Sequence, residues 1–315
     1  MHGPQGERGH FMGAITREFG RRRALYLMAA PGLGLLFIFS YMPMVGIVVA
    51  FKDYTIAGGI FGSPWVGFGN FRFFFISGKA LLVTRNTVLY NTAFIVVNTV
   101  LNLLVAIVLS EIRSKHFKKV SQTLLLMPYF VSWVVVNAML YNMLNYEFGQ
   151  VRGLFDLLAL PPVDVYGTPS AWKYIIVILN AWKEVGYGSI VYLAAIMSID
   201  REIYEASDID GASIFHQIRY ITLPCLKPTV IILVLLAIGS IFRGNFGMFY
   251  QIVNNNGTLF NATDVIDTFV FRSLIQTKEY GMSAAAGLYQ SVLCFAILML
   301  SNYVVKRVDP DYSLF

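Results

Sequence analysis

The stretch that decides the fold is N-T-V-L-Y-N-T-A-F-I-V-V-N-T-V-L-N-L-L-V-A-I-V-L-S, residues 86–110. It contains no Asp, Glu, Lys or Arg. A helix of about 20 mostly apolar residues crosses the roughly 30 Å hydrocarbon core of a bilayer, so this stretch is long enough to span it. It is far longer than the roughly ten alternating residues of a membrane β-strand. We therefore predict a membrane-spanning helix.

Five further runs have the same apolar character: residues 24–51, 120–146, 174–199, 229–253 and 280–305. Two of them contain ionised side chains, Lys183 and Glu184 in the fourth span and Arg243 in the fifth. Composition agrees, because 57% of the 315 residues are hydrophobic and only 13% are charged, against about 25% charged in soluble domains. The sequence predicts an all-α membrane protein with six transmembrane helices and excludes a soluble enzyme.

The chain shows no recognisable catalytic, metal or cofactor site. Its two cysteines, Cys225 and Cys294, are too far apart in sequence to suggest a metal or redox pair. The P-loop pattern G-x-x-x-x-G-K-[ST] holds nucleotide phosphates with its backbone amides. It is absent, because the only Gly-Lys pair, Gly78-Lys79, is followed by Ala80. We predict that this chain is not an enzyme and does not hydrolyse ATP itself.

Lys and Arg cluster in three segments outside the predicted spans. The amino end has Arg8, Arg17, Arg21, Arg22 and Arg23, residues 111–119 have four more, and the tail has Lys306 and Arg307. With six spans these segments share one side of the membrane, and basic loops stay cytoplasmic. We predict a cytoplasmic segment 1–23, a transmembrane domain 24–305 and a cytoplasmic tail 306–315. This topology explains the net charge of +6 and gives no reason to expect nucleic acid.

The loop between the fourth and fifth spans is D-R-E-I-Y-E-A-S-D-I-D-G-A-S-I-F-H-Q-I-R-Y-I-T-L-P-C-L-K-P, residues 200–228. Apolar residues recur at helical spacing on both sides of Gly211, which predicts a helix, a turn and a second helix. Residues 200–210 contain five carboxylates against one Arg201. Helices that rest on lipid headgroups are usually rich in Lys and Arg, so docking to a partner protein is favoured over an interfacial helix.

Several positions of this loop match a known pattern: Glu205-Ala206-Ser207, Asp210-Gly211-Ala212, Ile221-Thr222-Leu223-Pro224 and Pro228. They resemble the EAA signature of binding-protein-dependent ABC importer permeases, with Ser207 in place of the second alanine. Segments 41–54 and 65–71 are similar to the amino-terminal part of carbohydrate permeases, especially the LplB-like polysaccharide branch. The resemblance implies a type I ABC importer permease bundle with a cytoplasmic coupling helix, in the inner (cell) membrane of a bacterium.

The resemblance also implies the partners of this chain. They are a second, homologous permease subunit in a heterodimer, an ATPase dimer that binds ATP and Mg²⁺, an extracytoplasmic solute-binding protein and membrane lipid. The implied cargo is a sugar, such as alginate fragments, pectin fragments or other oligosaccharides. The residues implied in coupling to the ATPase are Glu205, Ala206, Ser207, Asp210, Gly211, Ala212, Phe215 and Ile218.

Ionised side chains inside a span cost at least about 2.5–3.5 kcal/mol, so they normally face a cavity or a partner. Lys183, Glu184 and Arg243 are predicted to lie at similar depth. With their aromatic and amide neighbours they predict a substrate pathway lined by Asn180, Trp182, Lys183, Glu184, Tyr187, Arg243 and Asn245. Aromatic rings suit the apolar face of a sugar and polar groups suit its hydroxyls. Lys183 and Arg243 also suit a uronate carboxylate.

Two alternatives remain open for these charges. In the first alternative, Glu184 and Arg243 form a structural ion pair, since intramembrane charges commonly pair with each other. The second is an ion-coupled secondary transporter that relays protons or ions through Lys183, Glu184 and Arg243, although the inverted repeats of that class are not detected. Tyr129, Trp133 and Tyr289 are weaker pathway candidates, because aromatic residues in spans often serve packing or interface anchoring.

Overall fold

A computed structural model describes residues 23–159 and 161–308. The regular secondary structure of these residues is helical apart from one isolated bridge between Lys52 and Trp65, and loops connect the helices. The helices used below are α1 Arg23–Phe51, α2 Gly69–Ile76, α3 Lys79–Glu111, α4 Lys115–Phe130, α5 Trp133–Leu144, α6 Gln150–Leu157, α7 Pro169–Met197, α8 Arg201–Ile209, α9 Ile214–Gly239, α10 Phe246–Val253, α11 Ile266–Ile275 and α12 Tyr280–Val308. The predictions for residues 1–22 and 309–315, which include Arg8, Arg17, Arg21 and Arg22, lie outside the described residues.

The centre of the fold is the pair of helices α3 and α7, which pack side by side and run in the same direction. Near their amino ends Tyr90 of α3 and Trp172 of α7 belong to one buried cluster. Near their carboxyl ends Ala106 of α3 and Tyr192 of α7 belong to another. Because both helices run the same way, the chain between them has to return across the bundle.

The returning segment is broken, so the prediction of one continuous helix over 120–146 is wrong. α4 ends at Phe130, α5 begins at Trp133, and the two axes meet at 89°. Pro128 has no backbone N–H and weakens the last turn of α4. Ser132 caps α5 by accepting a hydrogen bond from the Val135 N–H at 3.4 Å. The break leaves backbone carbonyl groups at the middle of the bundle.

The predicted span 229–253 also differs from the structure. α9 begins at Ile214, inside the loop predicted over 200–228, and ends at Gly239, while α10 begins separately at Phe246. Pro228 lies within α9 and does not stop it. The segment between the two helices contains Ser240 and Gly244, which are poor helix formers, and Arg243 lies in this break.

Within residues 23–159 and 161–308, four helices are long and apolar enough to cross a membrane: α1, α3, α9 and α12. The bent pair α4 and α5 adds a fifth if it counts as one span. α7 has 29 residues, about 44 Å at 1.5 Å per residue, but Lys183 and Glu184 make its central part more polar. The all-α membrane fold is confirmed, whereas a count of six crossings stays a prediction.

One end of the bundle is closed by the short helices α2 and α11, which pack on the first turns of α3 and α12. Phe74, Val83 and Phe269 are buried together there. The side-chain amide of Asn86 donates to the backbone carbonyls of Asn261 and Asp264 at 3.2 and 3.0 Å. The loop 200–228 follows the carboxyl end of α7 and therefore emerges at the opposite end, together with the basic segment 111–119.

Candidate functional site

Lys183 is buried in the middle of α7, with only 6% of its surface exposed. Its Nζ donates to the backbone carbonyls of Pro128, Tyr129 and Val131 at 3.1, 2.6 and 2.5 Å. These carbonyls lie at the break between α4 and α5, where a helix end leaves such groups without intrahelical partners. An ammonium group has three N–H donors, so all three are used by the backbone. Lys183 satisfies the carbonyl groups at the break and has no donor left for a ligand.

Two tyrosines form a stack next to Lys183. The ring centroids of Tyr129, in α4, and Tyr187, in α7, are 4.4 Å apart, and the rings are inclined by 10°. The Lys183 Nζ lies 5.6 Å from the Tyr129 centroid and 5.2 Å from that of Trp133, within cation–π distance of both rings. Tyr187 is 51% exposed, so the stack lies at the surface of this chain. Tyr129 and Trp133, which are the weaker pathway candidates from sequence, therefore lie together with Lys183 and Tyr187.

Amide side chains extend this polar region along the contact of α3 and α7. The Asn98 Nδ2 donates to Asn180 Oδ1 at 2.9 Å. The side-chain oxygens of Asn98, Asn102 and Asn137 are buried and accept no hydrogen bond from the described part of the chain. Buried polar atoms normally have a partner, so these oxygens call for buried water. In the sequence, the sign of this polar region was the presence of four asparagines in the otherwise apolar run 86–110.

The stripe predicted on α7 is only partly assembled. Asn180, Glu184 and Tyr187 share one side of the helix, and the Glu184 side chain is half-buried with no hydrogen bond or ion pair to the described residues. Trp182 is exposed, but it lies about 200° around the helix from Asn180, because each residue advances by about 100°. Trp182 is therefore not brought together with the stripe.

Arg243 and Asn245 lie elsewhere, so the prediction that the three charges share one depth is wrong. Asn91 of α3 donates to the Arg243 carbonyl, whereas Asn98 contacts Asn180. Seven residues of α3 separate these contacts, a rise of about 10 Å. Glu184 and Arg243 form no ion pair in the described structure, which removes the structural pair considered from sequence. The Asn245 side chain caps α10 by accepting from the Met248 N–H at 3.0 Å.

The break that contains Arg243 is held by an acidic residue of α11. Asp267 Oδ2 accepts hydrogen bonds from the Gly244 N–H at 2.5 Å and from the Gln290 amide at 2.9 Å. Burial raises the pKa of the Asp267 carboxyl, and these donors, with the nearby Arg243 guanidinium, oppose that rise. Arg243 is thus associated with Asp267, toward the end closed by α2 and α11.

The loop 200–228 is a defined structural unit. Gly211 has φ +75°, a left-handed conformation that glycine adopts without strain. The Gln217 Nε2 donates to Asp208 Oδ1 at 2.6 Å and to Ser207 Oγ at 2.9 Å, which ties the start of α9 to α8. Ser207, which stands where the EAA signature has alanine, supplies one of these acceptors. The predicted helix, turn and helix are therefore present.

Apolar side chains project from this unit into solvent. Ile209 is 88% exposed and Phe215 is 81% exposed, and both flank the Gly211 turn. The carboxylates Glu202 and Glu205 lie on the same short helix, α8, and are also exposed. Large exposed apolar residues with a charged surround are typical of a protein interaction surface.

These features define a multi-pass helical membrane protein with a helix-turn-helix loop at one end. The chain belongs to the family described as binding-protein-dependent transport system inner membrane component, which matches residues 99–310. It is accordingly the membrane component, or permease, of such a transport system and not an enzyme.

Relatives match this chain over nearly its whole length. Protein LplB of Bacillus subtilis is 33% identical over 301 residues, 96% of this chain and 93% of LplB. The polygalacturonan/rhamnogalacturonan transport system permease protein YteP of the same organism is 31% identical and covers 92% of this chain and 90% of YteP. The chain is thus similar to permeases along its membrane domain as well as its loop.

Solved structures agree with the fold. A crystal structure of a bacterial ABC transporter involved in the import of the acidic polysaccharide alginate contains a chain that matches with a TM-score of 0.85 and 31% identity, over 94% of this chain and 99% of that one. A second structure, of a bacterial alginate ABC transporter in complex with an alginate pentasaccharide-bound periplasmic protein, matches with a TM-score of 0.83, also at 31% identity, over 93% and 97%.

Proposed function

We propose that this chain forms half of the translocation pathway of an ATP-driven importer of oligosaccharides. The observation that carries the proposal is the Tyr129–Tyr187 stack, which lies beside Asn180 and Glu184 at mid-length of α7 and is open at the surface of the chain. An ionisable group such as Glu184 is unfavourable against lipid at that depth. This surface is therefore expected to be covered by a second subunit. The space between the two subunits is then a route for a sugar.

The chemistry of this surface suits a carbohydrate. Stacked tyrosine rings offer a flat apolar face to the C–H groups of a pyranose. The half-buried Glu184 carboxyl suits its hydroxyl groups. Asn180, Glu184 and Tyr187 therefore keep their place in the proposed pathway and Tyr129 joins them, whereas Trp182, Arg243 and Asn245 do not belong to this cluster.

We further infer that the cargo is an acidic oligosaccharide. The relatives named for polygalacturonan and alginate transport handle uronate polymers. A cavity of about 570 Å³ between the amino-terminal halves of α3 and α7 is lined by Arg85 and Lys173 together with Asn86 and Tyr90. Neither cation forms an ion pair within the described residues. Their free charge suits a carboxylate-bearing sugar that enters from this end.

The proposed assembly contains a second, homologous permease, an ATPase dimer and an extracytoplasmic solute-binding protein. ATP and Mg²⁺ belong to the ATPase, because this chain has no P-loop. The coupling surface comprises Glu205, Ala206, Ser207, Asp210, Gly211, Ala212, Phe215 and Ile218. In this arrangement Phe215 enters an apolar groove of the ATPase and Glu205 meets a basic residue at its rim.

The experiment is uptake by the complete complex in proteoliposomes. With ATP inside and loaded binding protein outside, we expect import of an alginate or galacturonate oligosaccharide. We expect no import when a proton gradient replaces ATP, which would instead identify an ion-coupled carrier. Failure of the ATP-loaded vesicles to take up either sugar contradicts the proposal.

A matched pair of variants tests the pathway surface. Tyr187→Ala removes one ring of the stack and is expected to raise KM for uptake about three- to tenfold, since aromatic stacking contributes about 0.5–1.5 kcal/mol. Trp182→Ala removes another exposed aromatic of α7 on a different side and should leave KM unchanged. Equal effects of the two variants would show that the stack is not the contact surface.

A further inference from the structure

We propose that Lys183 is the positioning residue of the cargo pathway: its ammonium group closes the break in the third span and thereby holds Tyr129 in its stack with Tyr187. This inference rests on the proposed function for its link to cargo. Lys183 is not a cargo contact here, because it is buried and its three donors already reach three backbone carbonyls.

The shape of the break explains why a lysine stands at this position. The carbonyl oxygens of Pro128, Tyr129 and Val131 converge on a single atom, the Lys183 Nζ. Only lysine carries three donors on one terminal atom, since arginine spreads its donors over a planar fork. Because Lys183 is buried, its ammonium group and not bulk solvent satisfies these carbonyls. The charge is further favoured by the rings of Tyr129 and Trp133 and by Glu184 next in sequence.

Tyr129 is held through both its backbone and its ring, and α7 supplies both contacts. Its carbonyl accepts from the Lys183 Nζ at 2.6 Å, and its ring stacks on Tyr187 at 4.4 Å. Lys183 and Tyr187 are four residues apart and therefore lie on neighbouring turns of one helix face. Loss of the Lys183 ammonium releases the backbone contact and allows α4 to turn, which removes the ring from the stack.

Lys183 affects cargo transport without selecting the charge of the cargo. A buried lysine with saturated donors gives no attraction to a uronate carboxylate, so any preference for acidic sugars has to come from other cations. Replacement of Lys183 should therefore weaken transport of neutral and acidic oligosaccharides by the same factor. A lysine that contacts the carboxylate would instead affect the acidic sugar alone.

The first measurement does not depend on cargo. With 3-fluorotyrosine at position 129 of the purified complex, the stacked Tyr187 ring displaces the fluorine resonance, and Tyr187→Leu removes this displacement. We expect Lys183→Met to give the same change, and Lys173→Met, an exposed lysine on the same helix, to give none. An unchanged resonance in Lys183→Met overturns the proposal. If Lys183→Met does not assemble, Lys183→Gln is measured instead. Its two donors cannot serve all three carbonyls, so we expect a smaller change than in Tyr187→Leu, and a resonance equal to that of the parental complex overturns the proposal.

The second measurement is a double-mutant cycle on uptake of the alginate or galacturonate oligosaccharide that the parental complex imports. Lys183→Met and Tyr187→Leu are each expected to raise KM about three- to tenfold, and the double variant no more than the larger single effect. Additive effects overturn the proposal. Absence of uptake by the parental complex would contradict the proposed function, while the fluorine resonance would still decide the role of Lys183.

Discussion

At the scale of single residues, the coupling loop depends on a backbone conformation that few residues adopt. Gly211 has φ +75°, and a Cβ added there meets no atom within 4 Å. Any penalty for substitution is therefore a backbone penalty and not a steric clash with neighbours. The Gln217 amide, bound to Asp208 and Ser207, fixes the two helices on either side of this turn.

We expect Gly211→Val to disturb coupling while membrane insertion persists. A β-branched residue in the left-handed region costs about 1–2 kcal/mol or more, so the turn opens and the Phe215 surface moves. The measurement is the amount of ATPase that co-purifies with the chain, together with ATP hydrolysis stimulated by loaded binding protein. Gly211→Asn is the matched control and should retain both, because asparagine tolerates this conformation. Parental behaviour of Gly211→Val would contradict the prediction.

At the scale of helices, the broken span is packed tightly against α7. A Cβ added to Gly186 would collide with the backbone carbonyl of Leu125 in α4. Small residues at helix contacts in membranes allow such close approach of two backbones. Gly188 approaches the Asn102 side chain of α3 in the same way. The position of α4, and with it the orientation of Tyr129, is therefore set by small residues as well as by Lys183.

Gly186→Ala is expected to destabilise the contact of α4 and α7 by about 1–3 kcal/mol, the usual cost of overpacking. Gly287→Ala on α12 is the matched control, since a Cβ there meets nothing within 4 Å. The measurement is the yield of assembled complex in detergent and its thermal unfolding midpoint. A midpoint lowered equally by both substitutions would indicate a general helix effect and not a specific contact.

At the scale of the whole molecule, topology follows from the parallel packing of α3 and α7. The basic segment 111–119 and the loop 200–228 both follow the carboxyl ends of these helices, so they lie on one side. The described tail residues Lys306 and Arg307 are in the last turn of α12, which begins beside the amino end of α3. Positive charge therefore concentrates at the end that carries the coupling loop.

We predict that both chain termini are cytoplasmic, because short basic segments are retained on that side. A fluorescent protein fused after residue 315 should fold and fluoresce, whereas alkaline phosphatase fused there should be inactive. A tag placed in the segment between α5 and α7 should react with impermeant reagents from outside. The opposite pattern would contradict the six-span arrangement.

The fold and the coupling loop were largely predictable from sequence, because both depend on local patterns. Long runs without charge require helices in a membrane, whatever their neighbours are. The spacing of apolar residues around Gly211 predicted the helix, turn and helix that the loop forms. The break at 131–132 was missed because hydropathy continues across it. The break at 240–245 was missed because Arg243 was interpreted as a charge within a span and not as part of a break. Tertiary hydrogen bonds from Lys183 and to Asp267 stabilise the two breaks.

The sequence by itself determined the membrane class, the family resemblance and the helix-turn-helix loop 200–228 that we propose as the coupling surface. The tertiary structure decided what the intramembrane charges do. Lys183 and Arg243 look alike along the chain, yet one is saturated by three carbonyls at a helix break and the other lies near Asp267 at another depth. The physical reason is that the role of a buried charge is set by the atoms around it in space, and residues 128–131 and 267 are distant in sequence from both.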